Sequence, residues 1–154
     1  VNLEFMSTEF EHLKTAYYDD FFFQHVEVIN QENNCSILAS DFQGKFLQLI
    51  WDALIEFSME EKNMTSVIKK FGKNSPYTLS KTKNILTISE SNQQNISIDL
   101  HVFFEAYYEA TKRYLNFIKK ENPRVVYQEN FQQLSASCYY YETHHNTKLV
   151  QADL

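Results

Sequence analysis

Between Asp99 and Glu121 the chain reads DLHVFFEAYYEATKRYLNFIKKE, and its apolar residues recur every third or fourth position. Leu100, Phe103, Phe104, Tyr107, Ala110, Tyr114, Leu115, Phe117 and Ile118 therefore share one side of a helix, while His101, Glu105, Glu109, Lys112, Asn116 and Lys119 take the other. Asp99 is placed as an N-cap, Lys119 and Lys120 suit the negative C-terminal end, and Asn122-Pro123 ends the helix.

The same reading yields further elements on either side. Ser7 to about Phe22 predicts a first helix with Phe10, Leu13, Tyr17 and Phe21 buried. His25 to Ile29 alternates, and Cys35 to Leu38 follows a polar interval, which predicts a hairpin. Asp41 is placed to cap a second long helix to about Met59, with Phe46, Leu47, Ile50, Trp51, Leu54 and Phe57 inward. Met64 to Phe71 reads as a short helix ended by Gly72, and Lys73 to Ser80 as a connection in which Tyr77-Thr78-Leu79 can add a strand. Ile85 to Ile88 and Ile96 to Ile98 bracket a second hairpin. After Pro123, Val125 to Tyr127 reads as a strand. Residues 128–142 fit both periods, Phe131, Leu134, Cys138 and Tyr141 for a helix and Leu134, Ala136, Cys138 and Tyr140 for a strand; the helix is the reading adopted.

The resulting order, roughly α-β-β-α-(α)-β-β-α-β/α, predicts an α+β fold in which two or three long amphipathic helices pack on a mostly antiparallel sheet. In element order alone it is similar to roadblock and longin-type folds. Residues 6–143 are expected to form a single α+β domain. Residues 1–5, ahead of Met6, read as a cloning scar outside the fold, and residues 144–154 as a polar tail.

Composition narrows the chemistry mainly by exclusion. Only Gly44 and Gly72 occur in 154 residues, where average usage gives about eleven. A phosphate cradle built from glycine-rich backbone is therefore excluded, as is a G-x-S-x-G nucleophile elbow. No apolar run approaches the ~18 residues that span a bilayer, and the start shows no charged-then-apolar secretory pattern. Cys35 and Cys138 lack paired spacing and read as packed, reduced thiols, which points to the cytoplasm. No cofactor motif is found. His101, Glu105 and Glu109 lie at i, i+4 and i+8, a spacing that can present metal ligands but more commonly marks a solvated helix face in which Glu109 pairs with Lys112 or Arg113.

Charge supplies the positive clue. Residues 1–61 carry twelve acidic side chains against Lys14 and Lys45; residues 62–124 carry eleven basic against five acidic; the whole chain has a net charge of −6. One explanation is two solvated faces of opposite sign that partly neutralise each other. The sharper one is an acidic surface, with Asp19, Asp20, Asp52, Glu56, Glu60 and Glu61 as its contact residues and Trp51 or Phe57 at its edge. That reading expects a small acidic binding protein, immunity-protein-like or secretion-chaperone-like, that neutralises or chaperones a basic protein partner by occlusion without catalysis. The alternatives are a dimeric scaffold or adaptor, and a hydrolase or nuclease using a metal or a histidine such as His101 with Glu105. Lys69, Lys70, Lys73, Lys81 and Lys83 around Tyr77 resemble a basic patch, but the net negative charge opposes nucleic-acid binding.

Overall fold

The Asp99–Glu121 stretch is helical as its period requires. In a computed structural model of the chain, which describes residues 1–7, 10–15, 20–71, 75–91 and 93–145 apart from the side chains of 11, 12, 15 and 20, helix α2 spans Leu100–Glu121. The Asp99 carboxylate accepts from the backbone N–H groups of His101 and Val102 at 2.9 and 3.1 Å. Asn122 closes the other end: its N–H donates to the Ile118 carbonyl, its side chain accepts from Arg124 N–H, and its amide donates to Leu13 O.

Around α2 the chain is α+β. Strands β1 (Leu3–Met6), β2 (Val26–Asn30) and β3 (Cys35–Ser40) form one antiparallel sheet in that order; β4 (Met64–Ile68), β5 (Tyr77–Thr82), β6 (Ile85–Glu90) and β7 (Gln93–Asp99) form a second, in chain order. The sheets meet through side chains rather than a backbone ladder. The Tyr77 hydroxyl accepts from Ala39 N–H at 2.8 Å, and Asn95 donates to Ile37 O at 2.9 Å. Helix α1 (Gln43–Met59) leads from the first sheet to the second, and α3 (Glu129–His144) lies against both α1 and α2. No helix among the described residues is long and apolar enough to cross a membrane.

Three rungs of hydrogen bonds join α1 to α2 inside the core. Tyr114 Oη donates to Gln43 Oε1 at 2.7 Å, Tyr107 Oη donates to Leu47 O at 2.8 Å, and Trp51 Nε1 donates to Thr111 Oγ1 at 3.0 Å. Each rung satisfies a polar group at the end of a large ring, so the ring buries its area without stranding a donor. Burial pushes the Tyr107 and Tyr114 phenols well above their ordinary values, which keeps both as neutral donors.

Several expectations are corrected. Residues 1–5 do not stand outside the fold: Leu3 and Phe5 are buried in β1, which pairs with β2. The expected first helix is two short 3-10 segments, Phe10–Thr15 and Asp20–Phe23, and Tyr17 lies outside the described residues. Met64–Ile68 is a strand rather than a helix. Its apolar spacing suits a helical turn, but the free edge of β5 pairs with it, and Thr65, Val67 and Ile68 fit a pleated backbone. Gly72, its expected stop, is outside the described residues. Pro123–Tyr127 is a 3-10 turn, since Pro123 presets φ and Asn122 caps the next N–H. Residues 129–144 are helical, and His144 and His145 belong to the end of α3 rather than to a loose tail; residues 146–154 are outside the described residues. Phe117 is 38% exposed. Both cysteines are free, with Cys138 buried as expected but Cys35 exposed.

The start of α1 breaks two local rules. Phe42, its N-cap, sits at φ 55°, ψ 59° and makes no side-chain cap; Asp41, the expected cap, instead meets His25 Nδ1 at 3.0 Å. A left-handed conformation costs a residue with a Cβ about 1–2 kcal/mol. Two residues on, Gly44 faces Asn130 of α3, and a Cβ there would lie 2.7 Å from Asn130 Cγ and 2.8 Å from its Cβ. Gly44→Ala, which in an open helix gains about 1 kcal/mol, is therefore expected to lose ~1–3 kcal/mol through overpacking. Urea denaturation checks this, and a higher midpoint in the variant would show that α3 yields at no cost.

Candidate binding surface

The rungs to α2 turn one face of α1 inward and fix which residues face out. Trp51 is fully buried, its ring edge-on to Phe104 and Tyr107. It is not at the edge of a partner surface, and neither is Phe57, 1% exposed. Both assignments are corrected: the contacts of the core use these rings completely. Asp52 and Glu56 do lie on the exposed side, one turn apart, and Glu60 and Glu61 continue past the helix end, both exposed. Of the other expected contact residues, Asp19 lies outside the described residues, and only the backbone of Asp20 is described.

Beside the carboxylates runs a groove of about 510 Å³ between α1 and α3, bounded by Lys45, Gln48, Leu49, Asp52 and Ile55 on one side and Gln133, Ala136, Ser137 and Tyr140 on the other. Its floor is held by the Gln48 amide, which donates to Asp52 Oδ1 at 3.0 Å and to Ser137 Oγ at 2.9 Å. Leu49, Ile55, Ala136 and Tyr140 make it largely apolar. Leu49 and Ile55 lie off the inward stripe of α1, and this second apolar strip is the signal in the sequence that a groove follows the helix.

The four carboxylates Asp52, Glu56, Glu60 and Glu61 form no ion pair among the described residues. The basic half of the chain is used differently. Lys70 is buried, pairs with Glu90 and lies 4.5 Å over the Tyr77 ring. Lys81, 4% exposed, donates to Phe57 O at 2.8 Å and to Glu60 O, so it supplies the cation that the last turn of α1 lacks. Lys112 pairs with Glu142 at 3.1 Å. Tyr77 is itself buried, and Lys73 lies outside the described residues. Of the basic patch expected around Tyr77, Lys70 and Lys81 are buried and serve the fold, while Lys69 and Lys83 are exposed.

His101, Glu105 and Glu109 are exposed along α2. Among the described residues no group of three or more His, Cys, Asp or Glu side chains is gathered as a metal site. The partner of Lys112 is Glu142 rather than Glu109, and Arg113 donates to Leu3 O at 2.7 Å. Near the end of α3, His145 Nε2 is 3.3 Å from Ser58 Oγ, and that hydroxyl also donates to Ile55 O at 2.7 Å. Burial, with His144 and His101 nearby, holds the His145 pKa below its ordinary value.

No family model matches the chain, and no curated protein or solved structure is significantly similar to it.

The far wall of the groove depends on a clamp between α2 and α3. Tyr108 Oη donates to Glu142 Oε1 at 2.6 Å, beside the Lys112 ammonium. Burial alone would raise the Glu142 pKa; the Tyr108 hydroxyl and Lys112 outweigh it and hold the carboxyl below its ordinary value. A depressed folded-state pKa stabilises the fold above the unfolded-state pKa, and that contribution is lost as pH falls through the folded value. Denaturant midpoints followed from neutral pH down through the carboxylate range should therefore fall less steeply for Glu142→Gln than for the wild type. Parallel curves would show that the clamp does not couple to protons.

Proposed function

We propose that this is a binding protein that holds a basic, amphipathic helical segment of another protein along α1, and neutralises or chaperones that partner by covering the segment. The observation that carries this reading is the exposed row Asp52, Glu56, Glu60 and Glu61, which forms no ion pair among the described residues, with Asp52 lining a largely apolar groove. Two other carboxylates, Glu90 and Glu142, are instead neutralised within the fold, by Lys70 and Lys112. The row on α1 is left open to an external cation, next to a strip that accepts apolar side chains. An amphipathic helix presents both, in the helix-in-groove manner. Net negative charge on the whole chain favours encounter with a basic partner and disfavours wrong ones.

The reading is tested with a synthetic amphipathic helix carrying leucines on one face and lysines on the other, against a scrambled peptide of the same composition. Calorimetric titration should show binding of the patterned peptide alone, weakening as salt is raised. Each exposed ion pair contributes ~0.2–1 kcal/mol, and reversal substitutes repulsion for attraction, so Asp52→Lys with Glu56→Lys should lower the affinity about tenfold. Equal affinity of the wild type and a folded double variant would sink the assignment.

A further inference from the structure

Lys45 bounds the α1 groove at one end. Beyond it the rings of Phe71, Phe42 and Phe23 continue in contact, with centroids 5.4 Å apart for Phe42–Phe71 and 5.5 Å for Phe23–Phe42, both edge-on. Phe23 and Phe42 are 52% and 43% exposed. Lys45 belongs to both regions: it lines the groove, and its Nζ lies 5.8 Å from the Phe71 ring centroid, with Lys69 Nζ at 6.0 Å. Neither lysine forms an ion pair among the described residues.

Phe42 is the unusual member. A bulky side chain at positive φ is an outlier where Gly or Asn is the residue of low strain. Among the described residues, the other positive-φ residues that are not glycine, Asn34, Lys83 and Ser91, sit in hairpin turns. At Phe42 the same backbone holds a large ring that packs on Phe23 and Phe71 yet stays 43% exposed. The backbone beneath is tied by hydrogen bonds: Phe42 N–H donates to Phe23 O at 3.2 Å, Asp41 N–H donates to Phe71 O at 3.2 Å, and Phe71 N–H donates to Ser40 Oγ at 2.8 Å. Strain kept in a well-supported segment is characteristic of a ligand clamp.

Charge along α1 gives the occupant a direction. Lys45 stands at one end; Asp52, Glu56, Glu60 and Glu61 stand toward the other. A bound helix is positive at its N-terminus and negative at its C-terminus, so it matches this surface when its N-terminal turn lies over the carboxylates and its last turn over Lys45. From Lys45 to Glu56 is about 16 Å of helix rise, or three turns. Three partly exposed rings fall far short of the ~800 Å² per partner that a stable dimer buries, but they suit a single anchoring side chain.

We infer that the Phe23–Phe42–Phe71 cluster takes an apolar side chain lying just beyond the C-terminus of the partner's helical segment, with Phe42 as its main contact. This rests on the groove reading above and adds the orientation of the segment and its terminal anchor.

The test uses three versions of the patterned leucine–lysine peptide: without an anchor, with a tryptophan just past its C-terminus, and with a tryptophan just before its N-terminus. Each is titrated against the wild type and Phe42→Asn. The C-terminal tryptophan should tighten binding to the wild type about tenfold, and Phe42→Asn should erase that gain without lowering the thermal unfolding midpoint, since Asn tolerates the left-handed backbone. An equal gain from the N-terminal tryptophan overturns the orientation. No gain from either tryptophan, or a gain that survives Phe42→Asn, overturns the anchor while leaving the groove reading intact. Failure of all three peptides to bind overturns both.

Discussion

The structure depends on the hydrogen-bonded contact between α1 and α2. Gln43, Leu47 and Trp51 recur every fourth residue along α1, and each meets a polar atom on α2, at Tyr114, Tyr107 and Thr111. In a core this rich in Tyr and Trp, apolar area and polar tips come together, and a tip left without a partner would lose much of what its ring gains. The rungs resolve that conflict and set the rotation of α1 about its own axis. Because a helix has one inward face, fixing it also fixes the outward one. Lys45, Asp52 and Glu56 face outward for that reason, with Leu49 and Ile55 half-buried at the border of the two faces.

The same logic explains how the two oppositely charged halves of the chain are used. Lys70 and Lys81 are buried because each has a specific anionic or dipolar partner, Glu90 in one case and the carbonyl end of α1 in the other. A buried ammonium is tolerable only on such terms. The positive half is therefore consumed in part by the fold, whereas the carboxylates along and beyond α1 remain in water. Four exposed carboxylates, Asp52, Glu56, Glu60 and Glu61, result on a chain whose total charge is modest, and Asp52 lines the groove that α3 completes.

Two departures from local preference stand at the start of α1 and differ in kind. Gly44 has a sufficient structural reason, since Asn130 occupies the space that a Cβ would need. Phe42 has only a partial one: its ring touches Phe23 and Phe71 but stays 43% exposed on a left-handed backbone. Consistency between local preference and fold is the norm in foldable sequences, and exceptions concentrate where a surface is used.

While residues 128–142 fitted helix and strand alike, the sequence by itself determined helices α1 and α2, the two expected hairpins and the caps of α2. These follow from side-chain periods of 3.6 and 2 and from capping chemistry, which are set within a few residues. Tertiary structure alone decided what depends on partners distant in the chain. It made Met64–Ile68 a strand, because β5 offered it an edge, and drew Leu3 and Phe5 into the core. It divided the strands into two sheets, sealed Trp51 behind Thr111, and buried Lys81 against the end of α1. It also laid α3 beside α1, turning Leu49 and Ile55 from stray apolar positions into the wall of a groove. Period tells which side of an element is greasy; only long-range packing tells what covers that side and what is left open.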